Sequence, residues 1–244
     1  MKHGIFLSDI HGPSEAIPLG GIFAYIRDVR PTYIVLGGDV IDATGLHAAE
    51  SMRAEDVKLA WFERDVHYAK MLCASFFSAA PRAQIIYLAG NHEERYARLQ
   101  QKYPDLFGKT LDFEKAIKKS VSRYIPYGKA SSYFLLGDTV FAHGDIFPEA
   151  HARKYATRYA PRKVVYGHQH DFQAWTMHRA LVNDTPTYGL SVGCLCSLNP
   201  AWKKGIANRW VNGFVTFVTD GVTTTPSVHL MQDGKFEIGG TIYG

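Results

Sequence analysis

Gln84-Ile85-Ile86-Tyr87-Leu88-Ala89-Gly90-Asn91-His92-Glu93-Glu94-Arg95 is the stretch from which the fold of this chain can be worked out. Its first six residues are a short run rich in apolar β-branched and aromatic side chains, which reads as a buried strand. A glycine interrupts the run, and Asn91–Tyr103 then reads as a helix whose first turn carries His92, Glu93 and Glu94. Acidic residues are favoured at that position by the helix dipole. The same succession of apolar run and polar cluster recurs four times. Gly4–Leu7 leads to Asp9-Ile10-His11, and Tyr33–Leu36 to Gly37-Gly38-Asp39. Thr139–Ala142 leads to His143-Gly144-Asp145, and Lys163–Tyr166 to Gly167-His168-Gln169-His170. Side chains at the carboxyl ends of several strands of one sheet converge on one crevice. Here they carry carboxylate, amide and imidazole groups, the donors that divalent metals bind.

The spacing within each cluster suits shared ligation. Asp9 and His11 are two residues apart, and alternate residues of an extended strand point the same way, so both can reach one ion. His168 and His170 have the same spacing. Asp39 follows two glycines, which allow a sharp backbone turn close to a ligand. Asn91 offers a neutral carbonyl oxygen. An isolated Asp-x-His carries little weight, whereas five clusters in this order, each ending a strand, carry a great deal. His3, His47, His67, His151, His178 and His229 lie outside the clusters and are expected in ordinary surface or core roles.

The ordered pattern Asp-x-His, Gly-Asp, Gly-Asn-His-Glu, His-Gly and Gly-His-x-His, over roughly residues 3–170, resembles the calcineurin-like metallophosphoesterase superfamily. The resemblance implies an α/β (α+β) fold: a four-layer αββα sandwich of two mixed β-sheets flanked by helices. It implies two divalent metal ions, one held by Asp9, His11 and His170 and the other by Asn91, His143 and His168, with Asp39 bridging them. His92 would stand beside the substrate without binding metal, which makes His92 and Asp39 the expected catalytic residues. Two dications bring four positive charges against two from Asp9 and Asp39, so the site attracts phosphate and acidifies a bridging water. By that resemblance, metals held there would supply a hydroxide able to attack phosphorus in line, and a protonated His92 could donate to the departing oxygen. Oxygen and imidazole ligation without thiolate favours Mn²⁺, with Fe or Zn as alternatives. Glu93 and Asp145 are candidates for orienting ligand imidazoles, against simple exposure at the surface.

The substrate class follows from departures within that pattern. Protein phosphatases of the superfamily resemble Gly-Asp-x-x-Asp-Arg-Gly at the second cluster, and here Ala43 stands where the phosphate-clamping arginine would be. The contiguous Gly-His-x-His instead resembles phosphodiesterase and nuclease branches. The expectation is a phosphodiesterase acting on nucleic acid or nucleotides. A phosphomonoesterase with a small or protein substrate is the alternative, and a non-catalytic scaffold of the same fold is the second. Lys203, Lys204 and Arg209 lie between Trp202 and Trp210, a mixture that suits backbone contact and base stacking in DNA or RNA. The competing reading packs both tryptophans under a loop and leaves the lysines solvated.

Composition sets the remaining bounds. With 244 residues the chain reads as a single domain. A net charge of +4 permits a polyanionic substrate without requiring one. Three irregularly spaced cysteines make no disulfide framework, so a reducing cytoplasm is expected. Cys194 and Cys196 read as two small residues on one face of a strand. Neither a secretory segment nor a membrane span is expected, and oligomeric state is left open. Helices are expected at Glu15–Arg30, Ser51–Ala80 and about Pro148–Tyr159, a surface excursion over 104–130, and a strand-rich part from about 195 to 244. Gly108-Lys109-Thr110 lacks the upstream glycine of a phosphate loop, since Tyr103 occupies that place.

Overall fold

A computed structural model describes residues 1–47, 55–107, 110–147, 149–179 and 183–244. Strand β1 (Lys2–Leu7) sends Ile5 and Leu7 to one side of its sheet and Phe6 to the other, and all three are fully buried. Strands β2 (Tyr33–Leu36) and β3 (Gln84–Leu88) divide in the same way. Ile34, Leu36, Ile85 and Tyr87 face one core, while Val35, Ile86 and Leu88 face another. A strand buried on both faces has no reason to alternate polar and apolar residues, which is why these segments read as continuous apolar runs.

β1, β2 and β3 are parallel, and β4 (Arg123–Ile125) extends the sheet in parallel beside β3. On the other side β10 (Gly213–Thr219) runs antiparallel to β1, and β11 (Thr224–Leu230) antiparallel to β10. The second sheet has the order β5-β6-β7-β9-β8, built from Tyr133–Leu136, Thr139–Ala142, Lys163–Tyr166, Asn183–Val192 and Phe172–Arg179 respectively. β6, β7 and β9 are parallel within it. Between the sheets Phe6, Val35 and Phe217 meet Phe134, Phe141 and Val165, with the Phe141 and Phe217 rings 4.7 Å apart.

Each sheet has an outer face covered by helices. Helices α1 (Gly20–Val29), α3 (Glu55–Ala79), α4 (Asn91–Lys102) and α6 (Phe113–Ile117) cover the first. Helix α7 (His151–Tyr159) covers the second, with Tyr155 packed on Val140, Val164 and Tyr166. The layers are therefore helix, sheet, sheet, helix, the αββα sandwich expected. Short helices α2 (Thr44–His47) and α5 (Pro104–Phe107) and a hairpin of β12 (Phe236–Ile238) and β13 (Thr241–Tyr243) complete the elements. No helix among the described residues is long and apolar enough to cross a membrane.

Several expectations need correction. The helix expected from Glu15 begins at Gly20, because Ala16 forms a bridge with Cys196 and the Ile17 N–H donates to Leu195 O at 3.1 Å. Those backbone groups are committed to another chain segment and cannot join a helix. In α3 the stripe Phe62, Val66, Ala69, Leu72, Cys73 and Phe76 is buried, whereas Trp61 is half-buried under the Arg64 guanidinium. Residues 51–54 of that expected helix, Pro148, and Gly108 and Lys109 lie outside the described residues. Residues 104–130 are more than a surface excursion: they supply β4 and α6, and Leu111, Phe113, Ile117 and Ile125 are buried. Cys194 and Cys196 follow β9 instead of lying on it, and both are buried where the chain bridges to Asn212 and Ala16.

Candidate metal centre

Because β1, β2 and β3 are parallel, as are β6 and β7, their carboxyl ends collect along one edge of the sandwich. The five polar clusters meet there. Asp9, His11, Asp39, His168 and His170 all have positive φ, from 48° to 73°. Non-glycine residues visit that region rarely, and it persists where surrounding bonds over-determine it. Those bonds are present. The Asp9 N–H donates to Gly38 O at 3.0 Å, the His11 N–H to Asp39 O at 2.9 Å, and the Leu195 N–H to Asp9 O at 3.0 Å. Gly38, at φ 91°, leaves no room for a side chain, since a Cβ there would lie 2.5 Å from His143 Nδ1. At Gly90 a Cβ would meet Asp39 Oδ1 at 2.2 Å.

All seven expected ligands are brought together. In the first group His11 Nε2 lies 3.2 Å from His170 Nε2, which lies 3.2 Å from Asp9 Oδ1. In the second His143 Nε2 lies 3.0 Å from Asn91 Oδ1, and donor atoms of Asp39, His143 and His168 all fall within 4.8 Å of one another. Asp39 Oδ2 stands between the groups, 3.3 Å from His143 Nε2, 3.9 Å from His11 Nε2 and 3.8 Å from His92 Nε2. His168 Nε2 is buried without a hydrogen-bond partner, and Asp9 Oδ1 is buried with only the ion-pair contact to His170. Buried polar atoms are normally satisfied, so orphaned lone pairs converging on one place fit a cation.

Three of the imidazoles are held by their other nitrogen. His143 Nδ1 donates to Gly37 O at 2.9 Å, His11 Nδ1 lies 3.1 Å from Asp42 Oδ1, and His170 Nδ1 lies 3.8 Å from Cys196 Sγ. Each contact leaves Nε2 facing the cluster, the arrangement that fixes tautomer and ring orientation in metal sites. Asp42 and Cys196 therefore perform the orienting role expected of Glu93 and Asp145. Glu93 is buried, but its carboxylate accepts from the backbone N–H groups of Asp39, Val40, Ile41 and Gly90 and from the Tyr87 hydroxyl. It shapes the Asp39 loop and touches no ligand imidazole through those bonds. Asp145 is half-exposed and pairs with Arg158 and Tyr155.

The acidic and imidazole groups of the cluster shift one another's pKa values strongly. Burial opposes charge on His170 and His143, but Asp9 and Asp39 beside them raise their pKa values to about 10 and about 9. Burial likewise opposes ionisation of Asp9, which His170 overcomes to bring its carboxyl down to about 2. Asp39 is lowered well below the usual carboxylate range by His143 and His92 against the same burial. His168, buried and next to charged His143, is lowered to about 4. Burial also lowers His92, to about 3, with Asp39 opposing and His11 and Arg95 assisting.

A cavity of about 250 Å³ opens over the cluster, lined among others by His92, Arg95, Trp202 and Trp210. Arg95 was not foreseen. It sits one helical turn beyond His92 on α4, with Nη2 3.0 Å from His92 Nε2. The i, i+3 spacing in Gly90–Arg95 was the available signal. Asp42 had a signal too, as the second acidic residue of Gly38-Asp39-Val40-Ile41-Asp42. Nothing local marked Cys196, which reaches His170 only through the tertiary fold.

Two sheets packed face to face gather carboxylate and imidazole side chains where their parallel strands end, in groups that could hold a metal ion. The chain belongs to the calcineurin-like phosphoesterase family, whose profile matches residues 5–172, and that family binds divalent metals. Comparison with curated protein sequences gives no match. Among solved structures the chain is similar to Vps29 from Entamoeba histolytica complexed with Zn²⁺, at 12% identity and TM-score 0.45, covering 98% of this chain and 95% of that one. It is also similar to Vps29 from Chaetomium thermophilum, at 10% identity and TM-score 0.47, covering 95% and 92%. Identities this low carry no information about activity.

Proposed function

We propose that this protein is a metal-dependent phosphodiesterase acting on nucleic acid or nucleotides. The observation that carries the proposal is the convergence of Asp9, His11, Asp39, Asn91, His143, His168 and His170 under one open cavity that also contains His92 and Arg95. Asp9, His11 and His170 would hold one ion and Asn91, His143 and His168 the other, with Asp39 shared. When bound, divalent ions polarise the ester and activate water at neutral pH. Mn²⁺ suits this donor set, with Fe or Zn as alternatives. Three buried free cysteines agree with a reducing, cytoplasmic setting.

The protein's own groups handle orientation and the proton. His92 Nδ1 donates to the Asp42 carbonyl at 2.6 Å, which turns Nε2 toward the cavity and Arg95. His92 is neutral at rest, so a protonated donor appears only after an anionic ester enters beside it and raises its pKa. Arg95 supplies a guanidinium that can grip the non-bridging phosphate oxygens.

Arg95 also favours a second reading, a phosphomonoesterase, because it places an arginine in the cavity despite Ala43. Comparing kcat/KM for bis-p-nitrophenyl phosphate and p-nitrophenyl phosphate at saturating Mn²⁺ separates the two. Preference for the diester is expected; preference for the monoester would transfer the assignment. Absence of hydrolysis with every ester and metal would leave the fold as a binding scaffold.

A further inference from the structure

Two exposed aromatic side chains stand near the cluster of expected ligands, Phe147 directly against His168 and Trp202 one ring removed from His170, behind Trp210. Trp202 is 66% exposed and lies on a 3₁₀ turn, Ala201–Lys203. Its ring centroid is 5.9 Å from that of Trp210, which in turn lies 4.1 Å from the His170 ring. Both tryptophans line the same cavity as His11 and His170. Phe147 is 74% exposed, with its ring 4.7 Å from His168, a residue of the other group. Exposing rings of this size to water is unfavourable, so a position beside reacting groups calls for a ligand surface.

The tryptophan shelf is built, not draped. Trp210 pairs through its backbone with Asp171, and the Val211 N–H donates to His170 O at 2.9 Å, so the shelf is fastened to the ligand loop itself. Asn208 ties the loop back, accepting from the Trp210 N–H at 2.8 Å and donating to Leu198 O at 3.0 Å. Lys203 Nζ lies 3.4 Å from the Trp210 ring centroid, which places a cation beside the aromatic faces.

We infer that a single strand of nucleic acid lies across the cluster, one base stacked on Trp202, another on Phe147, and the phosphodiester between them over the ligands. This rests on the phosphodiesterase reading of the site and names its substrate. Stacking platforms combined with cations bind single strands with little sequence preference, because every base has a π-face. A monoester has a substituent on one side only and would leave one of the two rings unused.

The test compares binding of a 5′-labelled dT6 oligonucleotide with that of the same backbone carrying abasic tetrahydrofuran units, by fluorescence anisotropy in the protein as purified. Backbone charge is identical in the two ligands. Each stacked base contributes roughly 5- to 150-fold, so with two of them the base-bearing strand is expected to bind at least about thirtyfold more tightly. Trp202→Ala and Phe147→Ala should each remove one base's share of that ratio, roughly 5- to 150-fold, and both side chains are exposed enough for the variants to fold. Equal affinity for dT6 and the abasic strand, or an unchanged ratio in both variants, would overturn the inference. Hydrolysis of methyl p-nitrophenyl phosphate by the unaltered protein is read separately. If it fails while base-dependent binding persists, the phosphodiesterase reading fails and the strand-binding surface stands.

Discussion

Asp42 shows how a single side chain governs a ligand it cannot replace. Its carboxylate lies 3.1 Å from His11 Nδ1 and accepts from the Thr44 hydroxyl; burial opposes its ionisation, but the bonds from His11 and Thr44 and the nearby His11 and His92 together lower it to about 2. A charged acceptor behind an imidazole raises its basicity and fixes the ring, and loss of such a partner costs about 10–100-fold in metal affinity. Asp42→Ala is accordingly expected to weaken Mn²⁺ binding by about that factor in calorimetric titration while the fold is retained. Unchanged affinity would mean that the Asp9 and Asp39 loops alone position His11. The side chains that gather at this site were readable from residue types and order. The groups behind the imidazoles were less so: Asp42 had only its place in the Gly38–Asp42 cluster as a signal, and Cys196 reaches His170 through a contact that no local spacing encodes.

Helix α6 and strand β4 lie in the segment whose polar, lysine-rich sequence suggested exposure. Lys115, Lys118 and Lys119 are there, yet Phe113 is buried, stacked nearly parallel to Tyr96 at 6.4 Å and 6.0 Å from Tyr87. A five-residue helix presents too few positions for a periodic pattern to emerge, so charge dominates the reading. Phe113→Ala should destabilise the protein by about 3–5 kcal/mol in urea unfolding, the usual cost of deleting a core phenylalanine. A solvated segment would lose almost nothing. Tyr87 also donates to Glu93, so packing in this outer layer reaches the Asp39 loop in two steps.

The whole molecule places two layers of ionisable groups at one rim of the sandwich, and its stability should depend on both pH and metal. His143 and His170 have pKa values raised from 6.5 to about 9 and about 10. Their contribution is complete below the unfolded value of 6.5 and is lost as pH rises through about 9 to 10. His92 and His168 are lowered to about 3 and about 4, so the unfolded chain binds more protons than the fold between those values and 6.5, and stability rises with pH over that range. Ion-free protein should therefore show its highest Tm near pH 6.5. Divalent ions compete with protons for the same nitrogens, so with saturating Mn²⁺ the Tm should instead rise from pH 6.5 toward about 8. Calorimetric scans with and without the ion check both slopes, and parallel curves would remove His143 and His170 from the ligand set.

Residue types in order determined the strands, the sandwich and the family, because strands buried on both faces leave uninterrupted apolar runs and turns after them leave polar punctuation. Those are local signals, and local signals survive in one dimension. Tertiary structure alone decided that two tryptophans share the cavity with the gathered side chains, that Cys196 backs His170, and that a lysine-rich stretch closes the core. Each of those pairings joins elements far apart in the chain, and their proximity is set by how sheets and loops pack, which no spacing records.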